Sequence, residues 1–449
     1  MLALEAKYSS KVEINPDLSR KLVSFQDSKK LPVSRWFKFK EGYSAQLVEY
    51  CLEKTGVTTG SVFDPFAGSG TTLFTANRLS LDSFGVELLP VAQEIIEVQN
   101  EVLQNDPEKL AAQVAEFLEN KPWTKIVAAP NTRLNSIAIT DGAYPTDTER
   151  SILAYNIAIS HLEPTVSRIL RFAVLCILES VSYTRKDGQF LRWDARSGRS
   201  RSSKVSGFDK GKIYSFEEAI SIKLHEIAED LASASTWDKA NKIQLMKGSV
   251  LRLGSQIASE SQDALVTSPP YLNRYDYTRT YALELAYLGI TEEEIKSLRQ
   301  ELLSATVENR LKDLTQSDAA FHAAAEALAK VPAFVAASDY LKTLAQSGRL
   351  NNKGISRMFD YYFTELSAVI WHSARALRSK APFIMVNDNV RYGGLVIPVD
   401  LILSEVANQF GLGVEKIWAL PVNKGNSSQQ MGSHGRLPTR KCVYVWRKR

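Results

Sequence analysis

The sequence predicts an α/β fold, with helices on both faces of a mostly parallel sheet. Three stretches carry that expectation. Ser61-Val62-Phe63-Asp64-Pro65-Phe66-Ala67-Gly68-Ser69-Gly70-Thr71-Thr72 reads as a strand, a glycine turn and the start of a helix. Ser83 to Glu87 reads as a second strand, its last residue about 20 positions beyond the turn. The apolar run Ala264-Leu265-Val266 is stopped by Thr267-Ser268-Pro269-Pro270-Tyr271, where two prolines forbid continuation. Strands that each end in a special turn suit a sheet that holds its ligands beyond the strands' carboxyl ends.

The composition sets the frame. In 449 residues, 44% hydrophobic and 23% charged, there is material for a large core or for two to three ordinary domains. The longest apolar stretch, Ile169 to Leu178, is broken by Arg171 and is too short to span a bilayer. Met1 to Glu5 lack the basic start and apolar core of a signal peptide, so a cytoplasmic location is expected. Cys51, Cys176 and Cys442 are far apart and odd in number, which points to neither a disulfide framework nor a zinc knuckle. None of the five histidines has ligand spacing, and no metal is expected. The net charge of +5 permits a polyanionic partner without demanding one.

In chain order, residues 1–34 are mixed and polar and read as an arm. Residues 35–90 hold the glycine turn, 91–240 a helical and basic insertion, and 241–290 the Pro-Pro turn. A second helical insertion spans 291–355, and 356–449 return to α/β. Within the first of these, Arg35-Trp36-Phe37-Lys38-Phe39-Lys40 and Tyr43 precede a helix with Ser44 as N-cap and Leu47, Val48, Cys51 and Leu52 facing inward. That cluster either fills a core or lines a pocket.

The glycine turn is neither a Walker A loop nor a full dinucleotide fingerprint, and alone it is a weak signal. Glu87 strengthens it, since an acid at that spacing accepts hydrogen bonds from ribose hydroxyls. Lys242 to Val250 form a strand that runs into a glycine turn, where Ser249 would meet an adenine edge. In the first insertion, the basic stretch 183–212 reads as a loop. It carries Arg185, Arg192, Arg196, Arg199, Arg201 and Lys204 among Phe190, Trp193 and several serines, a mixture suited to phosphate and base contact. A basic loop is more often simply solvated, so this reading depends on the rest of the chain. The second insertion, alanine-rich from Ala319 to Ala337, shows no evident chemistry. Glu415 to Pro421 and Lys441 to Trp446 read as an antiparallel pair, with a polar loop at 423–440 as either surface or substrate-side lid.

Ser268 offers a hydroxyl, Pro269 a carbonyl with no competing N–H beside it, and Tyr271 an aromatic face. That set suits a flat heterocycle bearing an exocyclic amine: two acceptors for its hydrogens and a ring to stack on.

Asp64 to Thr72 resemble motif I of the S-adenosylmethionine-dependent DNA amino-methyltransferases. Thr267 to Tyr271 resemble their motif IV, in the Ser-Pro-Pro-Tyr form typical of N4-cytosine enzymes; the adenine-N6 branch usually has Asp or Asn where Ser268 stands. The resemblance covers 35–90 and 240–290 well, 355–446 loosely, and neither insertion. It implies a Rossmann-like class I methyltransferase sheet with S-adenosyl-L-methionine as cofactor. Phe66, Gly68 and Gly70, with Ser69 and Thr71 on the same turn, would border the cofactor's methionine end. Asp64 would lie near its amino group, and Phe39 would match a loose first-helix motif. Family members often carry an acid where Ser249 stands. Catalysis would fall to Ser268, Pro269, Pro270 and Tyr271, acting on a base flipped out of double-stranded DNA. The setting would be a restriction–modification or related system with a possible cognate endonuclease. The alternatives are methylation of adenine N6, of an RNA base, or a non-catalytic nucleic-acid-binding protein on the same fold.

Overall fold

The computed structural model describes residues 2–187, 190–199, 208–233, 241–312, 314, 318–421 and 439–449. Across the central eight-stranded sheet the order is β1 (Val12–Ile14), β11 (Leu412–Ala419), β12 (Lys441–Lys448), β8 (Pro382–Asp388), β7 (Ala264–Thr267), β2 (Ser61–Asp64), β3 (Asp82–Glu87) and β6 (Ile243–Lys247). Only β12 runs against the rest, antiparallel to both β8 and β11; every other pairing is parallel. From β2 the chain moves outward through β3 to β6, then crosses back over β2 to β7 and on to β8. The direction of winding therefore reverses between β2 and β7, the place where such sheets open a ligand crevice.

Period-two alternation assigns the two faces. Val62, Ala264, Val266, Ile384 and Val386 pack under the helix Ala45–Thr55. Phe63, Leu265, Phe383 and Met385 face the other way, toward the long helix Gly354–Ala376 and its Phe359 and Phe363. Ser44 caps the first of these helices, accepting from the Leu47 N–H at 3.2 Å, and Gly56 ends it in a left-handed conformation with φ 75°.

The segment 1–34, expected as an arm, supplies the edge strand β1, which pairs with β11. Nothing in three residues, Val12-Glu13-Ile14, signals a strand without the partner that receives it. The basic stretch expected as a loop contains an antiparallel hairpin, β4 (Thr184–Asp187) and β5 (Phe190–Trp193). Arginines and lysines masked its alternation of buried Thr184 and Lys186 with exposed Arg185 and Asp187. A further small hairpin, β9 (Val390–Tyr392) with β10 (Leu395–Ile397), follows β8.

The two insertions pack differently. The first builds an apolar cluster of its own from the helices Pro90–Gln104, Pro107–Asn120, Thr146–Ile159, Pro164–Val181 and Phe216–Ser233, joined by Phe37, Phe39 and Tyr281. Trp36 belongs to that core, its indole N–H donating to Asp230 at 2.8 Å. The helices Ala319–Ala329 and Pro332–Gln346 of the second insertion merge into the main core instead. Each insertion is pinned by one buried ion pair, Lys186–Glu284 in the first and Lys312–Glu365 in the second, both at 2.5 Å. Among the described residues no single helix is long and apolar enough to cross a membrane.

Candidate active site

At the switch point the ends of β2 and β7 are tied together. Asp64, 1% exposed, accepts from Thr267 Oγ1 at 2.6 Å, from the Phe66 N–H at 3.0 Å and from the Tyr43 hydroxyl at 3.1 Å. Burial pushes its carboxyl up to about 6 against the pull of those donors. The side chain is thus fully engaged, and it does not line the adjoining cavity. Its position follows from its work: it joins neighbouring strands on which the two special turns sit.

The cavity, about 620 Å³ with its open mouth, lies just beyond these strand ends. Phe39, Phe66, Gly68, Glu87, Ser249 and Ser268, all expected at a site, meet in its lining. Glu87 ends β3 and accepts from the Gly68 N–H at 2.6 Å and the Leu89 N–H at 2.7 Å, one on each carboxylate oxygen. Each oxygen keeps a further lone pair. Burial raises this carboxyl to about 7, the backbone N–H groups of Leu89, Gly68 and Leu88 opposing the rise. Gly68 sits at φ 55°, a left-handed conformation that favours glycine, and a Cβ there would press on the Phe39 ring at 3.3 Å. A carboxylate with free lone pairs, a bare backbone turn, and apolar walls from Leu251, Leu302 and Leu303 fit a nucleoside with an apolar-faced base. S-adenosylmethionine has that character.

Other expected residues lie elsewhere. At Gly70 (φ 81°) a Cβ would come to 2.7 Å from Phe74 and 2.9 Å from Ile96, so its smallness serves helix packing. Ser69 and Thr71 face a second hollow, on the far side of Phe39. The Ser249 hydroxyl, expected to meet an adenine, donates instead to the Glu301 carbonyl at 2.8 Å. That bond brings Glu301 and Leu302 of the second insertion into the cavity wall. No sequence signal marked them, because the insertion is helical and featureless by pattern. Glu41 also faces the cavity and accepts from the hydroxyls of Tyr275 and Tyr281. It stands two residues beyond Phe39, inside the aromatic-basic cluster, so a closer look at that cluster could have found it.

Ser268 and Pro270 line the same cavity beside Tyr277, while Pro269 and Tyr271 lie outside its lining. Ser268 Oγ donates to the Tyr271 hydroxyl at 3.3 Å, which leaves its lone pairs free to accept hydrogens. Among the described residues no group of three or more His, Cys, Asp or Glu is placed to hold a metal ion.

The expected DNA-contacting residues divide. Arg185 and Arg192 are cross-strand partners on the exposed face of the β4–β5 hairpin. Arg192 lies 4.4 Å from the Phe208 ring centre and 3.2 Å from Asp187. Arg196 is exposed but tied down: it forks onto Asp194 at 2.7 and 2.8 Å and donates to the Gly211 carbonyl. Those donors hold the Asp194 carboxyl well below the usual range. Arg199 lies over Trp193 at 3.9 Å and donates to the Ala138 carbonyl at 2.7 Å. Arg196 and Arg199 thus make contacts within the stretch while their side chains stay at its surface. Arg201 and Lys204 fall outside the described residues, as does the polar loop up to 438.

Comparison with known proteins adds an independent line. A family model described as "DNA methylase", of the N6/N4 type, matches residues 11–98, the span that holds the glycine turn and Glu87. The chain is 45% identical over 455 residues to the Type II methyltransferase M.AvaI of Nostoc sp. (strain PCC 7120), covering 99% of this chain and 92% of that protein. It is 38% identical over 475 residues to the Type II methyltransferase M.BsoBI of Geobacillus stearothermophilus, covering 100% of this chain and 92% of that one.

Proposed function

This chain belongs to the DNA amino-methyltransferase family, whose members use S-adenosylmethionine, and from that premise we propose that it methylates the exocyclic N4 of a cytosine flipped out of duplex DNA. The observation that carries the cytosine reading is Ser268. Where a carboxylate or amide would stand in the adenine branch, this chain has a hydroxyl whose hydrogen is directed to Tyr271.

The cofactor supplies an activated methyl group on a sulfonium. The chain's own residues do the rest. Glu87 accepts ribose hydroxyls, and the Gly68 turn and Phe66 bring backbone close to the cofactor. Flipping the base costs a few kcal/mol, and stacking on Tyr271 returns about 1–3 kcal/mol of it. Ser268 Oγ and the Pro269 carbonyl accept hydrogen bonds from the amine, which turns its lone pair out of conjugation and toward the methyl donor; the nitrogen, once methylated, sheds one of those hydrogens as a proton to solvent. Positioning and fixed dipoles supply the acceleration, with no covalent enzyme intermediate. Arg185 and Arg192 contact the DNA backbone from the hairpin, so the first insertion is the target-recognition region. A cytoplasmic restriction–modification or related system, with a cognate endonuclease, is the setting that fits such an enzyme.

The test is mass spectrometry of nucleosides from DNA incubated with the protein and isotope-labelled S-adenosylmethionine. Label on N4-methylcytosine is expected. Label on N6-methyladenine would overturn the reading of Ser268 while leaving the family chemistry in place. Ser268→Ala is expected to lower transfer by about 10²–10³-fold, the scale for losing one polar contact to a transition state, with cofactor affinity nearly intact.

A further inference from the structure

Because β12 alone runs against the sheet, it begins, rather than ends, at the edge where the ligand cavity opens. Its first residue, Lys441, is in register with Asp388, the last residue of β8. The two form an ion pair at 3.3 Å, with side chains 27% and 20% exposed. Lys441 Nζ lies over the Tyr271 ring, 5.1 Å from its centre. Tyr271 in turn receives the Ser268 hydroxyl at 3.3 Å. A continuous chain of contacts therefore runs from Asp388 through Lys441 and Tyr271 to Ser268.

Electrostatics keep that chain intact at neutral pH. Burial pulls the Lys441 ammonium down, but Tyr271 and Asp388 more than offset it and hold the group above the ordinary lysine range. Burial raises the Tyr271 phenol, so it stays protonated and neutral. An ammonium over an aromatic face is drawn to it electrostatically, the more so where the pair is desolvated. That attraction restrains rotation of the ring about its side-chain torsions.

We propose that Lys441, steadied by Asp388, is a positioning residue that fixes the Tyr271 ring and, through its hydroxyl, Ser268. The inference rests on the reading of Ser268 to Tyr271 as the target-base site. Lys441 touches neither cofactor nor target in this account. Its effect is to present one ring face and one set of serine lone pairs in a single arrangement when the base arrives.

The experiment measures kcat and KM for DNA, and Kd for S-adenosylmethionine by calorimetry, on the full chain with unmethylated genomic DNA. Lys441→Met, Tyr271→Phe and the double variant are compared with the parent. Lys441→Met is expected to lower kcat about two- to thirtyfold, the scale of a lost contact between a desolvated cation and an aromatic ring, with cofactor Kd within about twofold. Tyr271→Phe keeps the ring and loses the hydroxyl, so it should give a similar fall. The double variant should be no worse than the poorer single one, because both break the same chain of contacts leading to Ser268. Lys441→Arg should recover part of the loss.

Parental kcat in Lys441→Met, or losses that multiply in the double variant, would overturn the proposal. Should Lys441→Met fail to fold, Tyr271→Phe decides the matter alone: parental kcat there breaks the chain of contacts. Ser268→Ala separates the two layers. Full activity in that variant defeats the target-site reading itself, whereas an inactive Ser268→Ala beside a fully active Lys441→Met defeats only the positioning role.

Discussion

The two insertions leave the same edge of the sheet, after β3 and after β7, yet contribute to different things. The first folds around its own apolar cluster and displays a hairpin with Arg185 and Arg192 outward. The second merges with the main core and closes the cofactor cavity with Glu301, Leu302 and Leu303. Loops at the carboxyl ends of parallel strands are where ligands bind, so any insertion there is within reach of the site. What differs is whether it can bury itself. An insertion with enough large apolar residues stands apart and offers a surface. One made of short alanine-rich helices, Ala319–Ala329 above all, needs the main core and becomes a wall.

The two buried ion pairs give the strongest way to break that contrast. Lys312→Met leaves Glu365 buried and uncompensated, which is expected to cost about 3–5 kcal/mol of stability. Glu365 also accepts from the Ser304 N–H at 2.8 Å and hydroxyl at 2.7 Å, next to the cavity-lining Leu303. This variant should therefore also weaken cofactor binding, measured by calorimetry. Lys186→Met strands Glu284 in the same way and should cost a similar amount, measured by chemical denaturation. Its functional loss should appear in KM for DNA, because Lys186 anchors the hairpin under Arg185 and Arg192. If each variant produced the other's functional loss, the division between wall and surface would fall.

A middle-sized effect sharpens the cofactor side. The Glu87 carboxyl ionises near 7 in the folded chain against 4.5 for the ordinary group. The folded state thus holds a proton that the unfolded chain has released, and stability is greatest below 4.5 and falls as pH rises to about 7. Asp64 acts with the same sign between 3.8 and about 6. Cofactor affinity should move the other way, rising with pH toward 7 and above, since only the carboxylate can accept from two hydroxyls. Glu87→Gln should flatten that rise and leave the Asp64 part of the stability profile.

The smallest effect concerns the surface side. Arg185→Ala and Arg192→Ala should each lower the salt dependence of DNA binding by about one unit of slope, across sequences. Arg196→Ala should leave that slope unchanged and lower thermal stability, because its guanidinium is committed to Asp194.

Much of this molecule was already written in local pattern. The glycine turn, the strand ending at Glu87, the Pro-Pro turn and the Ser44 cap are short-range features, each set by which φ angles and side chains its own residues allow. They determined the middle of the sheet, the order of its halves and five residues of the cavity, Phe66, Gly68, Glu87, Ser268 and Pro270. The tertiary structure decided what depends on partners far along the chain. Asp64 turned inward because Thr267, two hundred positions away, ends the neighbouring strand. Ser249 gave its hydroxyl to Glu301 across an insertion with no readable motif. Lys441 reached Tyr271 only because one strand runs against all the others. A hydrogen-bond donor is legible in a sequence; the acceptor it will find is a property of the packed fold.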